Sequence, residues 1–429
     1  MVGSAQSGSG GAMRIFLLTH YYAPEIGAPQ RRWRELVTGM IAAGHQVAVC
    51  APVPHYPYRS ASDVGGTDEK TMVWADGPHG ERLLRLPYLP TSGSMAGQLI
   101  DQSWSSLFAV RVAAAMRTAK PDVVISTTPG LPMLFTGDIV ARMLGVPHIA
   151  EIRDAWPDLI ADSSLVRTAT RGLLPATLTD YAEATAIPAA FHSVMRRAAH
   201  IVVTSDVFAS RLKAAGHTEV TVVRNTAVPF RPTAQHRKRD ASSPLRLLYV
   251  GTVGRSQGLE SLARAVTELG GIELTIAGAG AAHRSLQQWA ESSWSTSCGR
   301  SDGPAIRVLP QTTGAELGHL WTWADSGVVS LRGLPSFEYT VPSKLYTLMA
   351  RGIHITGILA GEAAGIVTDA QAGHVVAPGD ESGLRELLTA MRDGRVDLTP
   401  SERAQEWLAQ HAAPDVALSR YLSILEGAR

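Results

Sequence analysis

Strand-length runs of apolar residues alternate with stretches of helical period along almost the whole chain. Parallel strands covered on both faces read as continuous hydrophobic runs, and each needs a crossover, so this alternation predicts a doubly wound parallel α/β sheet. The pattern occurs twice. In the first half, strands are predicted near Ile15–Thr19, Val47–Ala51, Val123–Ser126, His148–Glu151, Ile201–Thr204 and Val220–Val223. In the second they fall near Leu245–Val250, Glu273–Ala277, Ile306–Leu309, Ser326–Ser330, Ile353–Thr356 and His374–Val376. A helix is predicted over Gln30–Ala43, stopped by Gly44. Others fall at 382–393 and 402–411, and a last amphipathic helix at Val416–Leu425 follows Pro414. Residues 52–95 and 291–303 read as loops, the first functional and the second a mobile surface insertion.

Each half opens on a strand that runs into a glycine-containing turn, where an open α/β sheet binds its ligands. The expected fold is therefore two facing Rossmann-like domains with a cleft between them. That architecture suits an enzyme joining a nucleotide-bound group to a second substrate. The expected division is a flexible Gly/Ser tail at 1–12, a first domain at 13–228, a linker at 229–243 and a second domain at 244–413. The helix at 415–429 is expected to pack back on the first domain.

Composition narrows the partners. The 429 residues are 45% hydrophobic and 18% charged with a net charge of +1, as in a globular protein without nucleic acid as its main partner. No run of apolar residues is long enough to span a bilayer, and a cytoplasmic location is expected. Cys50 and Cys298 have neither disulfide nor metal spacing. No Asp-x-Asp motif or His/Cys cluster stands in the sequence, so no metal and no cofactor are expected.

The turns supply the candidate chemistry. Gly27 and Ala28 precede the first helix, whose N-terminus offers N–H groups to an anion. Arg31, Arg32 and Arg34 follow, with Arg31 or Arg32 candidates to face the cleft. In LRLLYVGTVGRSQG, Gly251 and Gly254 lie in a turn whose backbone N–H groups suit a pyrophosphate, and Arg255 adds a charge. Gly278 and Gly280 make a second turn suited to a nucleotide close to the backbone. In VPSKLYTLMARG, Ser343 reads as a helix N-cap and Lys344 strengthens the positive field there. Each has a plain structural reading too: an ordinary βα turn, a solvated charged face, a capped core helix.

The ordered set THYYAPEIGAPQRRWREL, VPHYP, TTPGLP, EIRDAWPD, VRNTAVPF, VGTVGRSQGL, IAGAG and VPSKLYTLMARG resembles retaining glycosyltransferases of family 4 from about residue 13 to about residue 400. Within it, the chain looks closest to the surface-polysaccharide sugar transferases. The resemblance implies a metal-independent GT-B enzyme. Its acceptor lies mostly on the first domain and its nucleoside-diphosphate sugar mostly on the second.

Carried over by residue, the resemblance places Gly27, Ala28, Gly251, Gly254 and Arg255 at the donor phosphates. Ser343, Lys344 and the N–H groups of Leu345 and Tyr346 form the phosphate-facing helix start. Gly278 and Gly280 lie beneath the nucleoside, and Leu309, Pro310 and Gln311 present backbone to the base. His20, Tyr21, His55, Tyr56, Thr128 and Trp156 fall on the acceptor side. Two departures stand out. Gln257 replaces a lysine, and Thr347 stands where a carboxylate commonly holds the ribose, with Glu338 near the other member of that pair. The stretch Ser126–Gly130 lacks the histidine some members use, which leaves Asp154 as the nearest charged candidate.

The expected catalytic set is Arg255, Lys344, Asp154 and Glu338. The expected partners are a sugar nucleotide and a small-molecule acceptor, with at most a weak peripheral membrane contact. A lipid-linked acceptor and a catalytically impaired nucleotide-sugar binding protein are the alternatives. A dinucleotide oxidoreductase is excluded, because neither half has Gly-x-Gly-x-x-Gly with an acid about twenty residues on.

Overall fold

A computed structural model of the chain describes residues 11–55, 70–90, 95–162, 164–170, 173–228, 243–296, 305–399 and 401–428. Tyr56, Cys298 and most of the 229–243 segment lie outside the described residues. The chain divides into two compact units, Met1–Asn225 with Pro414–Arg429, and Thr226–Ala413.

Among the described residues the first unit has eight strands: β1 (Arg14–Leu18), β2 (Gln46–Pro52), β3 (Trp74–Asp76), β4 (Arg82–Leu86), β5 (Val123–Thr127), β6 (His148–Ile152), β7 (His200–Val203) and β8 (Val220–Val222). Their order is β3-β4-β2-β1-β5-β6-β7-β8, parallel throughout except for β3. Ile15 of β1 is in register with Val47 on one side and Val123 on the other. The winding reverses between β1 and β5, which makes their carboxyl ends the switch point where an open sheet takes a ligand.

Sequence periodicity missed β3 and β4, which lie inside the segment expected to be loop. The run RLLRL of β4 carries arginine at both ends of its apolar centre. Arg85 is nevertheless buried, its guanidinium donating to the carbonyls of Pro52 (3.3 Å) and Ala23 (2.5 Å). Helix Ala28–Ala42 buries Trp33, Leu36, Val37 and Met40 at helical spacing. Trp33 meets Tyr421 of the last helix, Pro414–Gly427, with ring centroids 5.8 Å apart, so the chain's end completes the first unit's core.

Among the described residues the second unit has six strands: β9 (Leu245–Val250), β10 (Ile272–Ala277), β11 (Ile306–Leu309), β12 (Ser326–Ser330), β13 (His354–Ile358) and β14 (Gly373–Val376). All pair in parallel, in the order β11-β10-β9-β12-β13-β14, with the switch point between β9 and β12. Helix Leu259–Leu269 packs Leu259, Leu262, Ala263 and Val266 against this sheet. The insertion expected at 291–303 is helical as far as Thr296, in helix His283–Thr296; residues 297–304 lie outside the described residues.

Candidate functional site

In the first unit the polar groups gather at the carboxyl ends of the strands. Tyr21 and Thr19 are tied together just after β1, where the Thr19 hydroxyl donates to the Tyr21 carbonyl at 3.0 Å. His20 is buried here, with Nε2 3.1 Å from Asp101 Oδ2. Burial pushes the His20 pKa down, against the hydrogen bond to Asp101 that pulls it up. The rings of His20 and His55 meet at 4.7 Å, and Tyr88 stacks on His55 at 4.6 Å. His55 Nδ1 lies 2.9 Å from the Val53 carbonyl, and its backbone N–H donates to Glu25. His20 Nδ1 and His55 Nε2 have no hydrogen-bond partner.

His20, His55 and Asp101 offer donor atoms within 4.8 Å of one another and are the one group among the described residues with the donor set for a divalent ion. Nothing in the spacing of these residues along the chain signals it. Asp101 lies 81 residues beyond His20, on helix Met95–Ala115, and only the fold brings it in.

At the end of the strand next to β1, Thr128 follows β5, and its hydroxyl accepts the Arg153 N–H at 3.0 Å. Arg153 and Asp154 follow β6. Burial pushes the Asp154 carboxyl above its usual range, against the pull of Arg153. Trp156 is buried, and its backbone N–H donates to the Asp154 carbonyl at 2.7 Å.

Arg32 is not at this edge. It is buried, with its guanidinium 2.8 Å from Glu151 Oε2, so the expectation that it faces a ligand is corrected to a structural ion pair; Arg31 and Arg34 are exposed. Gly27 has extended backbone (φ −177°) at the N-cap of helix Ala28–Ala42, a conformation open to any residue. A side chain there would instead strike Gln30, whose amide donates to Glu25 at 2.8 Å.

In the second unit Lys344 is the central cation. Its Nζ lies 3.7 Å from the Tyr249 ring centroid, donates to the Tyr249 hydroxyl, and would touch any side chain added at Gly251. The Tyr249 hydroxyl in turn donates to the Thr252 carbonyl at 2.5 Å. Burial pushes the Lys344 pKa down to about 7. Sequence reading overlooked Tyr249, which sits one residue before the end of β9, where a buried ring with a polar tip could have been suspected.

The expected backbone cradle is different from the one foreseen. The Gly251 N–H donates to the Ala277 carbonyl, the Val253 N–H to the Ala279 carbonyl, and the Gly254 N–H to Gln257 Oε1 at 2.9 Å. Gln257 therefore occupies the turn rather than merely lacking a charge. Gly278 (φ 159°) and Gly280 (φ 155°) are glycines because a Cβ at either would overlap the carbonyl of Gly251 or Val253. Their requirement is loop against loop, which accounts for both without a nucleotide. Gly280→Ala is expected to destabilise the second unit by about 1–3 kcal/mol, from backbone strain together with the overlap. An unchanged urea midpoint would contradict this.

The helix start also differs. Pro342 is the N-cap and Ser343 the first helical residue, without a side-chain cap bond, because proline presets the extended entry. The Leu345 N–H is spent on the Pro342 carbonyl at 3.0 Å and is not offered outward. Tyr346 is core, stacked on Trp407 at 6.0 Å. The Thr347 hydroxyl donates to the Ser343 carbonyl at 3.3 Å. Arg255 is exposed in a 3-10 turn, Arg255–Gln257. Glu338 is exposed in the turn Pro335–Tyr339, with its backbone against Gly361. Pro310 and Gln311 are exposed beyond β11, while the Leu309 carbonyl accepts the Gly278 N–H.

The two α/β sheets, each wound both ways from a switch point, have the GT-B fold of the solved structures that they match. Residues 27–226 match the family model described as a glycosyl transferase 4-like domain, and the resemblance to family 4 holds. Among solved structures, sucrose-phosphate synthase from Thermosynechococcus elongatus matches at a TM-score of 0.68 and 14% identity, over 96% of this chain and 98% of that one. HepE of Anabaena, in complex with UDP and glucose, matches at 0.65 and 14%, over 96% and 99%. WaaG, a glycosyltransferase involved in lipopolysaccharide biosynthesis, matches at 0.60 and 15%, over 94% and 99%. No curated protein matches the sequence.

Proposed function

We propose that this glycosyltransferase moves a sugar from a nucleoside-diphosphate sugar to a soluble small-molecule acceptor, with retention of anomeric configuration and without a metal ion. The observation that carries the donor reading is Lys344. A buried amine at a sheet's switch point, with no carboxylate paired to it among the described residues, is a ready counter-charge for a diphosphate. HepE is described with UDP and with UDP-glucose, which makes uridine the first base to test.

In this reading Lys344, together with Arg255 on the turn that follows β9, stabilises charge on the departing diphosphate. An oxygen of that diphosphate takes the acceptor's proton as the acceptor attacks the same sugar face. No strong protein base is then needed. Asp154 and Glu338 are the carboxylates proposed to contact the acceptor and the sugar. Thr347, in place of a ribose-holding carboxylate, supports a donor site arranged in its own way and with it a specialised small acceptor.

Incubating the protein with UDP-sugars should release UDP at a rate that a suitable acceptor increases. Proton NMR of the product anomer reads retention directly. Turnover is expected to withstand excess chelator. If chelation abolished turnover and zinc restored it, the metal-free reading would fall and His20, His55 and Asp101 would become the metal site.

A lipid-linked acceptor has one observation in its favour. Ile100, Trp104 and Leu107 are 56%, 40% and 63% exposed and share one face of helix Met95–Ala115. Among the described residues no helix is long and apolar enough to cross a membrane. Co-flotation with anionic vesicles, lost in Trp104→Ser, would favour this second reading.

A further inference from the structure

Among the described residues Arg153 forms no ion pair, although the charges of Glu151 and Asp154 act on it from further off. It follows β6, at the carboxyl edge of the first sheet, in line with Thr128 beyond β5. One guanidinium nitrogen, Nη2, donates to Asn225 Oδ1 at 3.1 Å. The other two, Nε and Nη1, are buried and have no hydrogen-bond partner. The contrast with Arg32 is instructive. Arg32 gives Nε and Nη2 to Glu151, Nη2 also to the Val223 carbonyl and Nη1 to the Arg224 carbonyl, so its charge is paired and each of its three nitrogens has a partner.

Glu151 is therefore spent on Arg32 and on the hydroxyls of Thr127 and Tyr421. Asp154, the neighbouring carboxylate, makes no ion pair with Arg153, and burial favours its neutral form. Buried charges in proteins are paired, and a guanidinium left with two unmet donors carries a substantial desolvation cost. A residue of this kind at the ligand-binding edge of a sheet has its missing partner supplied by the ligand.

We propose that Arg153 recognises an anionic oxygen group, a carboxylate or phosphate, carried by the substrate that occupies the first unit's strand ends. The inference rests on the glycosyltransferase reading for the identity of that substrate. The group belongs either to the transferred sugar, as in a uronate, or to the acceptor. Asn225 holds one edge of the guanidinium, and the Thr128 hydroxyl holds the Arg153 backbone, so the side chain is fixed with two donors unmet, and an anionic group that reaches them displaces the groups that now cover them.

The test uses ligand pairs that differ only in the anionic group, read by calorimetry on the full chain and on Arg153→Gln and Arg153→Lys. UDP-glucuronate against UDP-glucose reads the donor source. Glucose 6-phosphate against glucose, in the presence of UDP, reads the acceptor source. The wild-type protein is expected to favour the anionic member of one pair at least tenfold. Arg153→Gln should lose that preference, and Arg153→Lys should keep part of it, with the affinity for UDP itself unchanged and the melting temperature of Arg153→Gln unchanged or raised. A structural role would lower the melting temperature and leave the preference. No preference in either pair, or a preference that survives Arg153→Gln, overturns the proposal. Failure of UDP to bind the wild-type protein would count against the glycosyltransferase reading instead, and the glucose 6-phosphate pair would still judge Arg153.

Discussion

Lys344→Met should cut turnover about a hundredfold and weaken binding of the nucleoside diphosphate, while leaving the protein as stable as before or more so. The expected loss follows from removing the one buried cation proposed to face the diphosphate, where a charged donor is worth about 1.5–3 kcal/mol in the ground state and more as the leaving group departs. The gain in stability follows from burial. The amine's pKa is near 7 in the folded protein and 10.5 when unfolded, so folding disfavours its charged form. Lys344 keeps some solvent contact, so the full shift overstates the penalty; about 1–3 kcal/mol is a fair scale. Methionine keeps the packing against Tyr249 and carries no charge.

The sign with pH is fixed by the same shift. Between pH 7 and 10.5 the unfolded chain binds more protons at this site than the folded one, so this residue's contribution to stability improves as pH rises across that window. Its penalty is fully present below pH 7. The stabilisation by Lys344→Met should thus be largest at pH 7 and below and vanish towards pH 10.5. Binding of a diphosphate should take up close to one proton at pH 8, visible as a dependence of the binding enthalpy on buffer ionisation. Proton uptake that is zero in the wild-type protein, or unchanged in Lys344→Met, would remove Lys344 from the phosphate site.

The architecture was legible because buried parallel strands leave little room for ambiguity. LRLLYV, IRVL and SGVVS are apolar runs of strand length between turn residues, and they form strands over the same residues that periodicity marked. β4 was not legible, since a strand that buries an arginine on backbone carbonyls looks like a polar segment until those carbonyls are placed.

The site was legible only in outline. Lys344 and the glycine turns stood out, but the reasons for Gly278, Gly280 and Gln257 lie in contacts between loops that are adjacent in space and not in sequence. The same holds for His20 with Asp101. Arg153 could be seen in EIRDAWPD, but that its neighbour Glu151 serves Arg32, and not Arg153, depends on how the chain returns through Arg224 and Tyr421.

That return sets the other large expected effect. Glu151→Gln should destabilise the first unit by about 3–5 kcal/mol, because it leaves the Arg32 guanidinium buried without its counter-charge. Glu151 is fully buried. Its Oε2 accepts from Arg32 at 2.8 and 3.1 Å and from Tyr421 at 2.5 Å, and its Oε1 accepts from Thr127 at 2.8 Å. Burial alone would raise the Glu151 carboxyl; the Arg32 charge and hydrogen bonds hold it below its ordinary range. A carboxyl depressed in this way contributes stability above its unfolded pKa and loses it as pH falls through the folded one. The wild-type first unit should therefore weaken on acidification below about pH 4.5, and the glutamine variant should lack that part of the dependence. Tyr421→Phe removes one hydrogen bond and should cost about 1 kcal/mol. Arg32→Met combined with Glu151→Met removes both charges together and should recover most of the loss seen for Glu151→Gln. Urea titrations of the four proteins, followed by far-ultraviolet circular dichroism, measure the series. If Glu151→Gln costs less than about 1 kcal/mol, or the double variant is no better than the single one, the Arg32 pair does not anchor the C-terminal helix to the sheet.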